Sequence, residues 1–270
     1  MMGVSRSVQA GRVLCAKRVI EAVGPRIWRT LSSAHSAAII WHDGTDPRRL
    51  TEGEHQEYLR LRPALNLGPG LVIYDIGANE GHFAAFAAKL NSVSTVYCFE
   101  PVAGVFARLT ERLASCRKVR CYSLGLSDRN GPQMIHVNRF NPSTSLLPME
   151  QLHRDEFPYT TETREEMVQV TTLREAVQTH ALLPPDFIKI DVQGVEDRVI
   201  RGGEEIVRQA RFCMVELSLT SLYEGSLLIT DMNALMRQLG FRLVRIVGEI
   251  VGQSGEILQV DGLFKNSART

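Results

Sequence analysis

The chain has 270 residues, with 31 Lys and Arg against 30 Asp and Glu for a formal charge of +1. Hydrophobic residues make up 44% and charged residues 23%, the balance of a globular protein, which excludes a disordered, collagen-like or disulfide-scaffold chain. A charge so near zero offers no whole-molecule attraction for nucleic acid, and none is expected as a partner.

The amino terminus differs from the rest. Residues 1–42 carry Arg6, Arg12, Lys17, Arg18, Arg26 and Arg29 against Glu21 alone. Ala16, Ile20, Val23, Ile27 and Leu31 recur at helical spacing, with Gly24-Pro25 as a break. Three readings compete: a helical hairpin accessory to the main domain, a peripheral membrane contact, and an organelle transit peptide. The first is preferred, so residues 1–50 are expected as a basic amphipathic extension and 51–270 as the main domain. No apolar run reaches the roughly 18–20 residues of a membrane span.

From residue 71 strands and helices alternate. LVIYD (71–75), TVYCFE (95–100), VRCYSL (119–124), DFIKID (186–191) and RFCMVEL (211–217) read as strands that are apolar nearly throughout. Such strands are buried on both faces, as in a parallel sheet flanked by helices. FAAFAAKL (83–90), residues 102–114 and the Met232, Leu235, Met236, Leu239 series supply helical faces. FRLVRIV (241–247) and ILQVDGLF (257–264), joined by VGQSG, read as a closing antiparallel hairpin. The polar stretch 139–170 interrupts the rhythm and is expected as an excursion or lid over the carboxyl edge of the sheet. The fold class is therefore α/β, a Rossmann-like, mostly parallel sheet with a terminal hairpin.

The five cysteines (Cys15, Cys98, Cys116, Cys121 and Cys213) include no C-x-x-C pair, and Cys98 and Cys213 fall inside strand-like runs. They read as reduced core thiols rather than metal ligands, which suits a cytoplasmic location. No metal is expected.

The segment between the first strand and its helix, Asp75-Ile-Gly77-Ala-Asn79-Glu-Gly81, is the most informative. Ligands of open α/β sheets bind at the carboxyl ends of the strands, and Gly77 and Gly81 let backbone approach them closely. The spacing is not G-x-G-x-x-G, so the dinucleotide fingerprint is absent. A carboxylate at Asp75 repels a pyrophosphate and attracts positive charge. S-adenosylmethionine, with an ammonium, a sulfonium and no phosphate, fits that pattern better than a nicotinamide dinucleotide. Glu100, ending the second strand, is placed to accept from both ribose hydroxyls. Ser127 and Asp128 follow the third strand, where Asp128 is placed to accept from the adenine amino group; a simple turn role for Asp128 competes.

VIYDIGANEGHFA, VYCFEP, LGLSD, FIKIDVQGVEDRVIRGG, VELSLTSLYEG and ILQVDGLFKN occur in that order, and in them the chain from about 71 to 265 resembles the FkbM-type family of S-adenosylmethionine-dependent methyltransferases. The resemblance implies a seven-stranded sheet with its last strand antiparallel. It also implies methyl transfer, mostly to hydroxyl groups of sugars and natural products. Asp75, Gly77, Asn79 and Gly81 then correspond to the methionine-side loop, Glu100 to the ribose ligand and Asp128 to the adenine contact.

On the substrate side, strand alternation puts Lys189 and Asp191 on one face of the fourth strand, where charge is costly unless paired or used. Asp191 is the first choice for base or substrate anchor at the cofactor, and Glu216 the second. His82, after the glycine loop, is a further catalytic candidate. Lys189, Gln193 and Tyr223 are the expected substrate-side residues. A structural ion pair of Lys189 with Asp191 or Glu216 is the competing reading. The expected reaction is O-methylation of a saccharide, glycolipid or small natural product. The alternatives are an NAD(P)-dependent oxidoreductase and a catalytically silent cofactor-binding protein.

Overall fold

The computed structural model describes residues 52–138, 144–157 and 163–269. The expected extension over residues 1–50 lies outside the described residues. In chain order the elements are α1 (Glu52–Leu65), β1 (Leu71–Ile76), α2 (His82–Ala87), β2 (Val93–Phe99), α3 (Ala103–Leu113), β3 (Val119–Tyr122), β4 (Gly125–Ser127) and β5 (Gly131–Asn138). They continue as α4 (Gln151–Glu156), β6 (Thr163–Thr172), α5 (Leu173–Thr179), β7 (Phe187–Ile190), α6 (Glu196–Arg201), α7 (Glu204–Val207), β8 (Phe212–Ser218), α8 (Ile229–Gln238), β9 (Phe241–Val251) and β10 (Ile257–Asn266).

Seven strands form the main sheet in the order β3-β2-β1-β7-β8-β10-β9. β3, β2, β1, β7 and β8 run parallel, and β10 is antiparallel to both β8 and β9. The chain winds outward from β1 through β2 to β3, then returns to lay β7 on the other side of β1. That reversal makes the carboxyl ends of β1 and β7 the topological switch point, where this class of sheet binds its ligands.

Period-two alternation sorts the strand residues into two cores. On one face Tyr74, Ile76, Phe99, Ile188, Ile190, Val215 and Leu217 pack with residues of α5 through α8. On the other, Ile73, Val96, Cys98, Phe187, Met214 and Leu263 pack with residues of α1, α2 and α3. All six residues of β1 are buried, as expected for a strand covered on both sides. Asp75, Lys189, Glu216 and Asp261 share the parity of Ile73, Phe187, Met214 and Leu263, so four charged groups fall on the second face. Cys98 and Cys213 are buried free thiols.

The polar stretch proves more structured than its composition suggests. Residues 163–172 form β6, which pairs antiparallel with β5 and parallel with β4 in a second, three-stranded sheet. Ile135, Val137, Val168 and Val170 pack there against Val102 and Val105. Residues 144–157 pack on the segments that leave β7 and β8, with Leu147 and Met149 clustered on Val195, Leu222, Tyr223 and Leu258. Backbone bonds fasten them: Glu150 N–H donates to the Leu222 carbonyl at 2.9 Å and Glu224 N–H to the Pro148 carbonyl at 3.0 Å. Among the described residues no helix is long and apolar enough to cross a membrane.

Candidate active site

The glycine loop after β1 is built by backbone bonds. Gly77 and Ala78 N–H both donate to the Phe99 carbonyl, at 3.1 and 3.0 Å, tying the loop to the end of β2. Gly77 has φ +77°, and a Cβ there would lie 1.8 Å from the Asp191 carbonyl oxygen. The residue is therefore glycine for two reasons, left-handed backbone and close approach. Asn79 also adopts positive φ, at 48°, a conformation Asn tolerates better than most residues. Its side-chain oxygen is buried and unpartnered among the described residues.

Glu100, which follows β2, is buried and braces this loop. One carboxylate oxygen accepts from Asn79 N–H at 3.1 Å and the other from Val102 N–H at 2.9 Å, at the start of α3. Burial pushes its carboxyl up to about 7, against the pull of those two amides. The sequence suggests a ribose ligand; the structure adds that Glu100 joins the loop to α3. Each carboxylate oxygen keeps a second lone pair for a ligand hydroxyl. Ser127 is fully buried and its hydroxyl donates to Asp128 at 3.2 Å. The exposed Asp128 also pairs with Arg129 at 3.2 Å.

The central acids form one connected cluster. Asp75 is completely buried, and neither of its oxygens makes a full hydrogen bond among the described residues. Burial pushes its carboxyl up to about 6, while Lys189, 3.9 Å away, pulls it back. The same ammonium reaches Asp191 at 2.9 Å. Burial disfavours the Lys189 charge, but Asp191 and Asp75 outweigh that and raise its pKa. The ion pair raised as the competing reading is thus present, and it points the ammonium at both acids. Gln193 then donates its side-chain amide to Asp191 and to Glu216, both at 2.9 Å. Tyr223 donates its hydroxyl to the Gln193 side-chain carbonyl at 2.8 Å.

The structure brings Asp75, Lys189, Asp191, Gln193, Glu216 and Tyr223 into this one network. Glu100 and Asn79 form a second group, and Ser127 and Asp128 a third. His82 is the first residue of α2, half-buried. Gln193 and Tyr223, expected to meet substrate, are occupied with each other, and Tyr223 is fully buried.

Two contributors were not among the expected site residues. Asp261 is register partner to Glu216 across β10 and β8, and burial and the nearby Asp191 push its carboxyl up to about 6. Its motif, ILQVDGLFKN, was visible, but the pairing is not. Glu196 is buried and accepts from Val192 and Gly194 N–H at 3.0 and 3.1 Å, shaping the turn that carries Gln193. Gln193 itself sits at φ +59°, a conformation costing about 1–3 kcal/mol in a non-glycine residue. Glu216 has no cation partner among the described residues. Burial with the charges of Asp191, Glu196 and Asp261 drives its carboxyl well above the usual range.

The reversal beside β1, the acid-tipped strand and the tight glycine loop define a Rossmann-like α/β fold of the ligand-binding kind. The model of the methyltransferase FkbM domain matches residues 75–243, and the chain belongs to that family. It is 30% identical over 165 residues to the 2-O-methyltransferase NoeI of Sinorhizobium fredii, covering 59% of this chain and 68% of that protein. It is 27% identical over 208 residues to the 31-O-demethyl-FK506 methyltransferase FkbM of Streptomyces tacrolimicus, covering 68% and 77%. Among solved structures, the magnesium protoporphyrin IX methyltransferase of Synechocystis matches with a TM-score of 0.44 at 11% identity, over 94% of this chain and 96% of that one. The protein is an S-adenosylmethionine-dependent methyltransferase, and the oxidoreductase alternative is set aside.

Proposed function

We propose that this enzyme methylates a hydroxyl oxygen of a small polar acceptor, a saccharide, glycolipid or natural product. One observation carries the reading. Asp191 stands at the carboxyl end of β7 with its backbone against the Gly77 loop, and its carboxylate is held by Lys189 and Gln193. A carboxyl group so placed, held by a buried ammonium 2.9 Å away, is positioned to accept from an acceptor hydroxyl. The names of the two relatives, both O-methyltransferases, favour the same reading.

The residues fit the cofactor. The buried oxygens of Asp75 and of the Asn79 side chain lack full partners among the described residues, as groups that meet a ligand would. Asp75, Gly77, Asn79 and Gly81 would hold the methionine end, Glu100 the ribose, and Ser127 with Asp128 the adenine. When bound, the cofactor supplies a methyl group on a positively charged sulfur, open to in-line attack.

Asp191 receives the proton of the acceptor hydroxyl as the oxygen gains its methyl group, since an alcohol is a poor nucleophile while protonated. Lys189 holds the Asp191 carboxyl in place at 2.9 Å. Burial and the neighbouring acids shift Glu216 toward its neutral form. Holding the acceptor in a near-attack pose falls to the walls around these groups.

The test is incubation with methyl-labelled S-adenosylmethionine and a panel of sugars, glycolipids and hydroxylated natural products. Mass spectrometry should place label on oxygen with matching S-adenosylhomocysteine. Label found only on nitrogen or carbon would overturn the reading.

A further inference from the structure

We propose that Gln193 is a positioning residue for the acid pair Asp191 and Glu216, and that Tyr223 and Ser145 hold it in that role. The proposal rests on the reading of Asp191 as the proton acceptor.

A primary amide has two N–H donors and one strong acceptor oxygen, and the three Gln193 side-chain bonds to Asp191, Glu216 and Tyr223 use all of them. The orientation is thereby fixed. Turned over, the amide would point its oxygen at two carboxyl groups and lose both donations.

The backbone of Gln193 is held as well. Its carbonyl accepts from the Ser145 hydroxyl. Ser145 is buried, and it exchanges two backbone bonds with His136 of β5, at 2.8 and 3.2 Å. Tyr223 is fully buried, bridged to Met149, and its ring lies 5.1 Å from that of His153 on α4. A Cβ on Gly194 would lie 3.0 Å from Tyr223 Cβ, so the turn after Gln193 fits closely beneath the tyrosine. Residues 144–157 and the β4-β6-β5 sheet thus meet the acids through Gln193. The expected substrate role of Gln193 and Tyr223 becomes one of orientation, with both acting through other groups.

The charged groups around Asp191 are Lys189 of its own strand, Asp75 on β1, Glu216 on β8, Asp261 on β10 and Glu196 on α6. Four are acids, so among the described residues an amide donor lost from Asp191 has no spare cation to replace it. Its proton affinity must rise, and the acid limb of the turnover profile must move to higher pH.

The test compares the wild-type enzyme with Tyr223→Phe, Gln193→Leu and Gln193→Glu. The readouts are kcat against pH, acceptor KM, cofactor affinity by calorimetry, and the Asp191 carboxyl titration by carbon NMR. Gln193→Leu should lower kcat at neutral pH by about tenfold or more. It should move the acid limb and the Asp191 titration upward together and leave cofactor affinity within about twofold. Gln193→Glu should move both further. Tyr223→Phe, the mildest change, should do so less, and it keeps the test sound if a Gln193 variant does not fold. An unmoved Asp191 titration in the folded variants overturns the proposal, as does a loss of cofactor affinity equal to the loss in kcat. If the titration moves and turnover does not, the role of Gln193 stands and the base reading of Asp191 falls.

Discussion

Gly77 and Asp191 meet backbone to backbone: a side-chain carbon on the glycine would lie 1.8 Å from the aspartate carbonyl oxygen. The glycine loop and the acid-bearing strand are therefore set against each other with no space between Gly77 and the Asp191 backbone. Neither can shift alone.

Gly77→Ala should be among the most damaging small substitutions. It imposes both a backbone clash and a positive φ on a residue with a Cβ. A loss of about 2–4 kcal/mol is expected by chemical denaturation, with cofactor affinity falling at least about tenfold because the loop must move. Wild-type stability and affinity in the folded variant would contradict this packing.

Glu100 braces the glycine loop against the start of α3, and substitution tests the ribose contact proposed for it. Glu100→Ala leaves the Asn79 and Val102 amides without their acceptor, costing about 1–3 kcal/mol for each buried donor. Glu100→Gln keeps one oxygen and replaces the other with a donor, so it should be destabilising by about half as much. Both should weaken cofactor binding in calorimetry. Loss of affinity without loss of stability in Glu100→Ala would mean that the two amides find other partners.

The main sheet was legible because its strands are apolar nearly throughout, and β1, β2, β7, β8 and β10 differ from their expected bounds by no more than two residues at either end. β6 was not legible for the opposite reason. Its burial alternates only toward its carboxyl end, and Arg164, Glu165 and Glu166 face outward or half-outward along the rest. Composition alone made that segment a loop. Asp75, Gly77 and Asp191 could be singled out because each sits in a short motif at a strand end. Asp261 could not, since its meaning comes from register with Glu216. The brace from Glu100 to Asn79 was hidden for the same reason, a bond between segments that only the folded sheet brings together.

The buried acids should make stability fall as pH rises. Burial lifts Asp75 and Asp261 to about 6 and Glu100 and Glu196 to about 7. Between the ordinary carboxylate range and these values the folded chain holds protons that the unfolded chain has released. The linkage slope is then negative, so stability decreases with rising pH across that window. Without cofactor, Tm should be lower at pH 7.5 than at pH 5 by more than about 5 °C. A Tm that climbs over this range would mean these carboxyls are ionised when folded.

Asp191 and Glu216, bridged by one amide, should respond oppositely to the same change. Asp191→Asn removes the charge that Lys189 pairs with at 2.9 Å and leaves that ammonium only Asp75 at 3.9 Å among the described residues. Single-turnover transfer should slow by about a hundredfold or more, and the fold should lose about 1–3 kcal/mol for a disturbed buried charge. Glu216→Gln copies the neutral form that burial and neighbouring acids favour. It should retain transfer within about threefold and leave stability unchanged or improved near neutral pH, because an ionisable group is replaced by its neutral likeness. The comparison turns on which member of the pair carries charge. If Glu216→Gln loses transfer as steeply as Asp191→Asn, then both carboxyls act ionised, and Glu216 takes the proton in place of, or together with, Asp191.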